Sequence, residues 1–230
     1  TRAEHNSQLV IGELPPPAPA GTPAVLFGRR GVDSEELIAY ELGIRQQPNE
    51  NIYWDLALFY NVYENLVAFR PTMPAPAIPT FEFFNGESGD AYGLELYVQL
   101  VMTDSWRLSS WYSFVRLDLD ADPRAVATGA VNSGATPRNQ VRLTSSWDIG
   151  CNKEFDLMAR YVDSMPSIGV PSYLTMDARL AWRPRCGMEL SLVGQNLLDS
   201  PHQEYSTSVF SGDVPTQVQR GVYGMLVWER

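Results

Sequence analysis

The sequence predicts an all-β fold, an antiparallel transmembrane β-barrel, and three observations carry that prediction. Apolar and polar residues alternate with period two in run after run along the chain. The connections between the runs alternate strictly between tight turns and long loops. Five of the six tryptophans fall within a few residues of a tight-turn end or of the last residue. Period two marks a strand whose two faces meet different surroundings. Tight turns on one rim and long loops on the other are the layout of bacterial outer-membrane barrels. Tryptophans gathered at one rim suit the headgroup layer of a membrane, where an indole is half apolar and half wet.

Taken in order, residues 1 to 34 carry Pro15, Pro16, Pro17, Pro19 and Pro23 with little periodicity, and read as a long loop. The first strand is expected over Glu35 to Gln47, and the second, after a turn at Pro48 to Asn51, over Ile52 to Phe69. A loop, Pro71 to Pro79, leads into one long strand from Phe81 to Met102, with a bulge expected at Asn85 to Asp90. The turn Thr103 to Ser105 sends out the strand Trp106 to Leu119. Beyond the loop 120 to 136 come Pro137 to Ile149, the turn at Gly150 to Asn152, and the strand Phe155 to Asp163. The pair Tyr173 to Arg183 and Met188 to Asn196 follows, then a long loop from Leu198 to Gln217 and a last strand from Val218 to Glu229. That makes nine strands. On the strand from Tyr173, Leu174, Met176, Ala178, Leu180 and Trp182 oppose Thr175, Asp177, Arg179, Ala181 and Arg183. A face holding Asp177, Arg179, Arg183 and Glu189 is too polar for a protein core, so the apolar face is the outward one.

The same alternation gives a candidate lumen lining of Glu41, Arg45, Glu95, Gln99, Arg142, Asp148, Asp177, Arg179 and Glu189. It also gives an aromatic girdle of Trp54, Trp106, Trp147, Trp182 and Trp228 at the tight-turn rim; only Trp111 sits in mid-strand. With 44% apolar and 19% charged residues the chain is not disordered. Its net charge of −10 argues against nucleic acid as a partner. The sequence holds no apolar run of 18 residues, so no membrane-spanning helix is expected, which leaves a barrel open. Residues 1 to 20 lack a basic start followed by an apolar stretch, so no signal peptide is read here, and the expectation is either a mature form or a chain whose N-terminal part precedes Thr1.

Catalytic and metal motifs are not found. His5 and His202 are the two histidines, and His202 lies near Asp199 and Glu204 in a loop where such groups are usually solvated. No nucleophile motif or phosphate-cradling glycine loop is present, so no enzyme activity and no cofactor are expected. Cys151 and Cys186 sit in turns at the two ends of one predicted hairpin, symmetric about position 168.5. They are expected to face each other at the periplasmic rim, where an oxidising compartment permits a disulfide. The residues leave a bond and two free thiols equally open.

Several segments resemble TonB-dependent outer-membrane receptors. SEELIAYELGIRQQPNENIYWDLALFYNVYENLVAF resembles their barrel strands, AYGLELYVQL and TPRNQVRL fit strands further on, and VGQNLLDSPHQEY is similar to their near-terminal N-L-x-D segment. TRAEH is similar to the end of a loop in the family. The resemblance covers about residues 35 to 230. It implies a 22-stranded barrel of which these are the nine C-terminal strands, with residues 1 to 34 as extracellular loop and residues 35 to 230 as barrel. It also implies an N-terminal plug and a TonB box, neither of which is in this sequence, and a bacterial outer-membrane location. The implied function is energy-coupled uptake of a scarce solute such as an iron chelate. The implied partners are lipid, the plug, the TonB complex and a small-molecule or metal-chelate ligand. A passive porin-like channel and a soluble all-β binding module are the other readings of the same strands.

Overall fold

The computed structural model describes residues 8–13, 21–72, 80–125, 133–198, 201–204 and 216–229. It is a single sheet of 11 strands. Nine of them form an up-and-down meander: β3 Glu36–Asn49, β4 Ile52–Pro71, β5 Thr80–Thr103, β6 Trp106–Ala121, β7 Asn139–Ile149, β8 Lys153–Val162, β9 Tyr173–Arg185, β10 Met188–Gln195 and β11 Gly221–Trp228. Each pairs antiparallel with the next. These are the nine strands read from the alternation, and most of their ends fall within two residues of the expected ones. The reason is physical: the side-chain period fixes the strand, and Gly, Asn and Asp at the turns fix its end. Gly150 and Gly187 take φ of 67° and 73° in two of the tight turns, a conformation in which a Cβ is strained.

The expected bulge is present. The β4–β5 register shifts between Tyr63 and Leu66 and again between Leu66 and Val67, opposite the stretch Asn85 to Gly89. Asn65 absorbs the extra residue at φ 57°. Its carbonyl accepts from the Asn85 amide at 2.6 Å, and Asn85 also accepts from the Asp33 N–H at 2.8 Å. The chain ahead of β3 is thereby tied to the middle of the sheet.

Residues 1 to 34 differ from the expected loop. Within them, β1 Gln8–Glu13 and β2 Pro23–Phe27 form an antiparallel hairpin. β2 then pairs in parallel with the start of β5, Val25 against Thr80 and Phe27 against Glu82. It uses the edge that β6 leaves open, because β6 pairs with β5 only from Glu87 onward. Two short strands flanked by prolines show too little alternation to be seen in the sequence.

Register sorts the side chains into two faces. Ile44, Leu56, Leu96, Ser110, Leu143, Ala159 and their same-face neighbours lie on one side. That side is exposed although apolar: Leu42, Leu143, Leu180, Leu192 and Leu226 are all open to the surroundings. A soluble protein rarely leaves so wide an apolar surface uncovered. On β4 the apolar stretch runs from Trp54 to the first outward acid, Glu64. Ten residues span roughly 33 Å along a strand, or about 25 Å vertically at a tilt near 40°, the height of the apolar band on an outer-membrane barrel.

Candidate functional site: the polar face and its loop end

All nine residues of the candidate lining stand on the other, polar face. Arg45 pairs with Asp55, Gln99 with Ser109, Glu95 with Ser113 and Arg142 with Trp111, while Asp148 sits across from Glu154 and Asp177 from Met158. Glu41 is on this face opposite Phe59. The arrangement of charge along the face is uneven.

Over β8, β9 and β10 the charges meet. Arg179 donates to Asp156 at 2.9 Å, to Glu154 at 3.3 Å and to Glu189 at 2.5 Å. Arg183 donates to Glu154 at 2.6 Å and to Glu189 at 3.0 Å, and Ser146 donates to Asp156 at 2.7 Å. Two guanidiniums thus hold three carboxylates across three strands, through the short, charge-assisted bonds that such pairs favour. Glu154 is absent from the sequence-based lining because the expected strand begins at Phe155, one residue too late; Asp156 lies inside that strand, on the same polar face, and was passed over. Asp177 has a different task, accepting from the Asn196 N–H at 2.8 Å where the long loop leaves β10.

Over β3 to β7 the charges are sparser. Arg45 pairs with Asp55 at 2.7 Å and Arg107 with Asp148 at 3.3 Å. The Tyr97 hydroxyl donates to Gln99 at 3.0 Å. Among the described residues, Glu41, Glu95 and Arg142 have no hydrogen-bond or ion-pair partner; across the sheet Arg142 faces Trp111 on one side and a second cation, Arg160, on the other. Trp111, the tryptophan outside the girdle, therefore belongs to the polar face.

At the long-loop end, Arg160 donates to the Tyr173 hydroxyl at 2.6 Å and to Glu204 at 3.2 Å. His202 stacks on Tyr173 at 4.5 Å between ring centroids, and lies 3.3 Å from Glu204. It bridges to Val218 through its backbone. His202 is 7% exposed, so it is not the solvated loop histidine the sequence suggested; it packs the returning loop against the barrel wall. His5 and Asp199 lie outside the described residues. Nearby, burial pushes the Asp163 carboxyl up, but the Asn139 amide, the Tyr161 hydroxyl and the Asn139 N–H outweigh it and hold it below the usual carboxylate range. Among the described residues, no group of three or more His, Cys, Asp or Glu is placed to hold a metal ion.

The five tryptophans expected to form a girdle share the outward face at the tight-turn rim. Trp106 and Trp147 are cross-strand partners stacked at 6.2 Å, and Trp147 stacks in turn on Phe155 at 5.4 Å. Trp54 pairs with Gln46, Trp182 with Leu190, and Trp228 with Met188. The cysteines are free and exposed. Lys153 faces Trp182, and the Arg183 N–H reaches the Asn152 carbonyl at 2.8 Å. The next position, Cys151, is therefore level with Pro184, two residues short of Cys186. The expected facing was out of register by that amount because the hairpin turns one residue earlier than its symmetric midpoint. Both cysteines nonetheless border one depression at the rim, with Asn152 and Arg183.

An exposed apolar face, an opposite polar face and aromatic residues at one rim define a transmembrane β-barrel wall of the bacterial outer membrane. Residues 8–197 match the family described as TonB dependent receptor-like, beta-barrel, and the chain belongs to that family. Its sheet is similar to that of the FrpB iron transporter from Neisseria meningitidis, at 14% identity and a TM-score of 0.69, over 89% of this chain and 32% of that one. The pyoverdine outer-membrane receptor FpvA from Pseudomonas aeruginosa aligns at 17% identity and 0.65, over 86% and 30%. The ferric yersiniabactin uptake receptor FyuA from Yersinia pestis aligns at 18% and 0.58, over 89% and 30%. The chain thus spans about a third of the length of these structures. The family and these neighbours are receptors and transporters, not enzymes.

Proposed function

We propose that this chain forms the C-terminal wall of an outer-membrane receptor that takes up a scarce metal chelate, with energy supplied by TonB through a plug in the lumen. The observation that carries the reading is the uneven polar face. Among the described residues Glu41, Glu95 and Arg142 project from the wall without partners, as side chains do when they await an occupant of opposite charge. The nine lining residues then face plug and water, and the five tryptophans form the periplasmic girdle. The long loops, with residues 1 to 34 among them, stand outside and meet the solute. A passive channel would share the wall but not the energy coupling.

The test is uptake by cells carrying the complete reading frame around this chain. A labelled ferric siderophore should enter only while TonB is present and the inner membrane is energised. Entry that survives deletion of TonB, or an upstream frame with no plug, would replace the receptor by the channel.

A further inference from the structure

A second site lies on the outward face, at the tight-turn rim of β8 to β11. Leu180, Trp182, Leu190, Leu192 and Leu226 wall a shallow groove whose floor opens at Gly224. Gly224 lies directly across from Leu192, whose side chain is 55% exposed, and a side chain at 224 would meet only the Ser191 carbonyl at an ordinary 3.8 Å. The notch is thus an absence of bulk, not a close approach of backbone. Its length, from Leu192 toward Trp228, runs down from the hydrocarbon to the headgroup level.

Two cations sit where the groove reaches the rim. Lys153, the only lysine in the chain, is on the outward face because it pairs with Trp182. Arg185 is outward because it pairs with Met188, and its guanidinium lies over the Trp228 ring at 5.5 Å. Among the described residues neither has a carboxylate partner. The contrast with Arg183, two residues earlier, is sharp: it points inward and is bound to Glu154 and Glu189. No other arginine or lysine faces outward at this rim among the described residues, since Arg45 and Arg107 both point inward to Asp55 and Asp148. In a chain of net charge −10, two cations on the same outward rim, neither in an ion pair among the described residues, mark a place for an anion.

We infer that this rim binds an anionic glycerophospholipid of the periplasmic leaflet. The phosphate lies between Lys153 and Arg185, the glycerol level meets Trp182 and Trp228, and one acyl chain lies in the groove over Gly224. Each part uses ordinary membrane chemistry: basic residues attract anionic headgroups, and indoles prefer the interface. The groove supplies a fixed seat that a uniform leucine surface lacks. The inference depends on the barrel being in a membrane and not on the transported solute, so it can fail while the receptor reading stands.

The experiment is native mass spectrometry of the intact outer-membrane protein in a neutral detergent, titrated with phosphatidylglycerol and with phosphatidylethanolamine. Phosphatidylglycerol should remain bound at energies that strip phosphatidylethanolamine. Replacing both cations, Lys153→Ala with Arg185→Ala, should weaken phosphatidylglycerol about thirtyfold, the worth of two basic residues against an anionic headgroup. Gly224→Leu, which fills the notch and keeps both charges, should weaken both lipids together. Equal retention of the two lipids by the unaltered protein overturns the proposal, and so does unchanged phosphatidylglycerol binding in the double variant. The first comparison needs no variant and stands even where one fails to fold.

Discussion

The polar face over β8 to β10 and the polar face over β3 to β7 are written in the same alternating pattern, yet they hold their charges differently. In the first, Arg179 and Arg183 are enclosed by Glu154, Asp156 and Glu189. In the second, Glu41, Glu95 and Arg142 stand alone among the described residues. A closed network spends its charge on holding neighbouring strands together; an open set offers its charge to something else. Alternation tells which side of a strand is wet. It does not tell whether the wet side is satisfied.

The comparison can be broken at its strongest point. Arg179→Met removes the cation shared by three carboxylates. The Arg179 side chain is 29% exposed, so the loss should be about 2 kcal/mol, below that of a fully buried pair. A lowered urea midpoint or an earlier loss of the heat-resistant gel band would register it, and an unchanged midpoint would mean the network is ornamental. Arg142→Ala should cost the barrel no more than about 0.5 kcal/mol, because among the described residues it makes no hydrogen bond or ion pair. If the open charges are addressed to a plug, that variant should instead loosen the plug, seen as faster proteolysis of the plug in the intact receptor. A large stability loss with no change in the plug would collapse the distinction between the two regions.

The cysteine rim gives a smaller effect. Cys151 and Cys186 are about two residues out of register, and diagonal neighbours on adjacent strands lie ~7 to 8 Å apart, just beyond disulfide reach. A bond between them requires the turns to move, and the glycines at 150 and 187 make that movement cheap. Protein isolated from the periplasm-facing membrane under thiol block should therefore alkylate at both cysteines. Loss of both thiols with no alkylation would show that the turns close.

The smallest effect is electrostatic and lies outside the bilayer. Asp163 has its carboxyl held below the usual range by Asn139 and Tyr161 once burial is overcome. A lowered folded value gives stability that is present above the unfolded value, near 3.9, and is lost as the pH falls through the folded one. Amide exchange at Asn139 should accelerate below about pH 4, and Asp163→Asn should remove that acid dependence.

What the sequence made legible follows from the range of each interaction. Strands and tight turns are local, so Ile52, Trp106, Ile149 and Met188 were placed at strand ends without any tertiary knowledge. That Asp177 and Arg179 share a face was legible for the same reason, by spacing alone. The ion pairs were not, because whether Arg179 meets Glu154 depends on a register set across strands. The hairpin Gln8–Glu13 with Pro23–Phe27 escaped because it is held by pairing with β5 from more than fifty residues away, and its own pattern is too short to announce a strand. His202 was misjudged on the same ground: its partner Tyr173 is supplied by a different strand.

β5 is 24 residues long, whereas crossing a bilayer takes about ten. Its outward face meets its first acid at Asp90, opposite Asp118 on β6 and one step beyond the pair Tyr92 and Arg116. The long-loop ends of β4, β5 and β6 thus extend past the apolar band as a ribbon, widened by the β1–β2 hairpin. With the long loops outside the cell, as proposed, this upright fin of sheet is within reach of a neighbouring cell, an antibody or a phage.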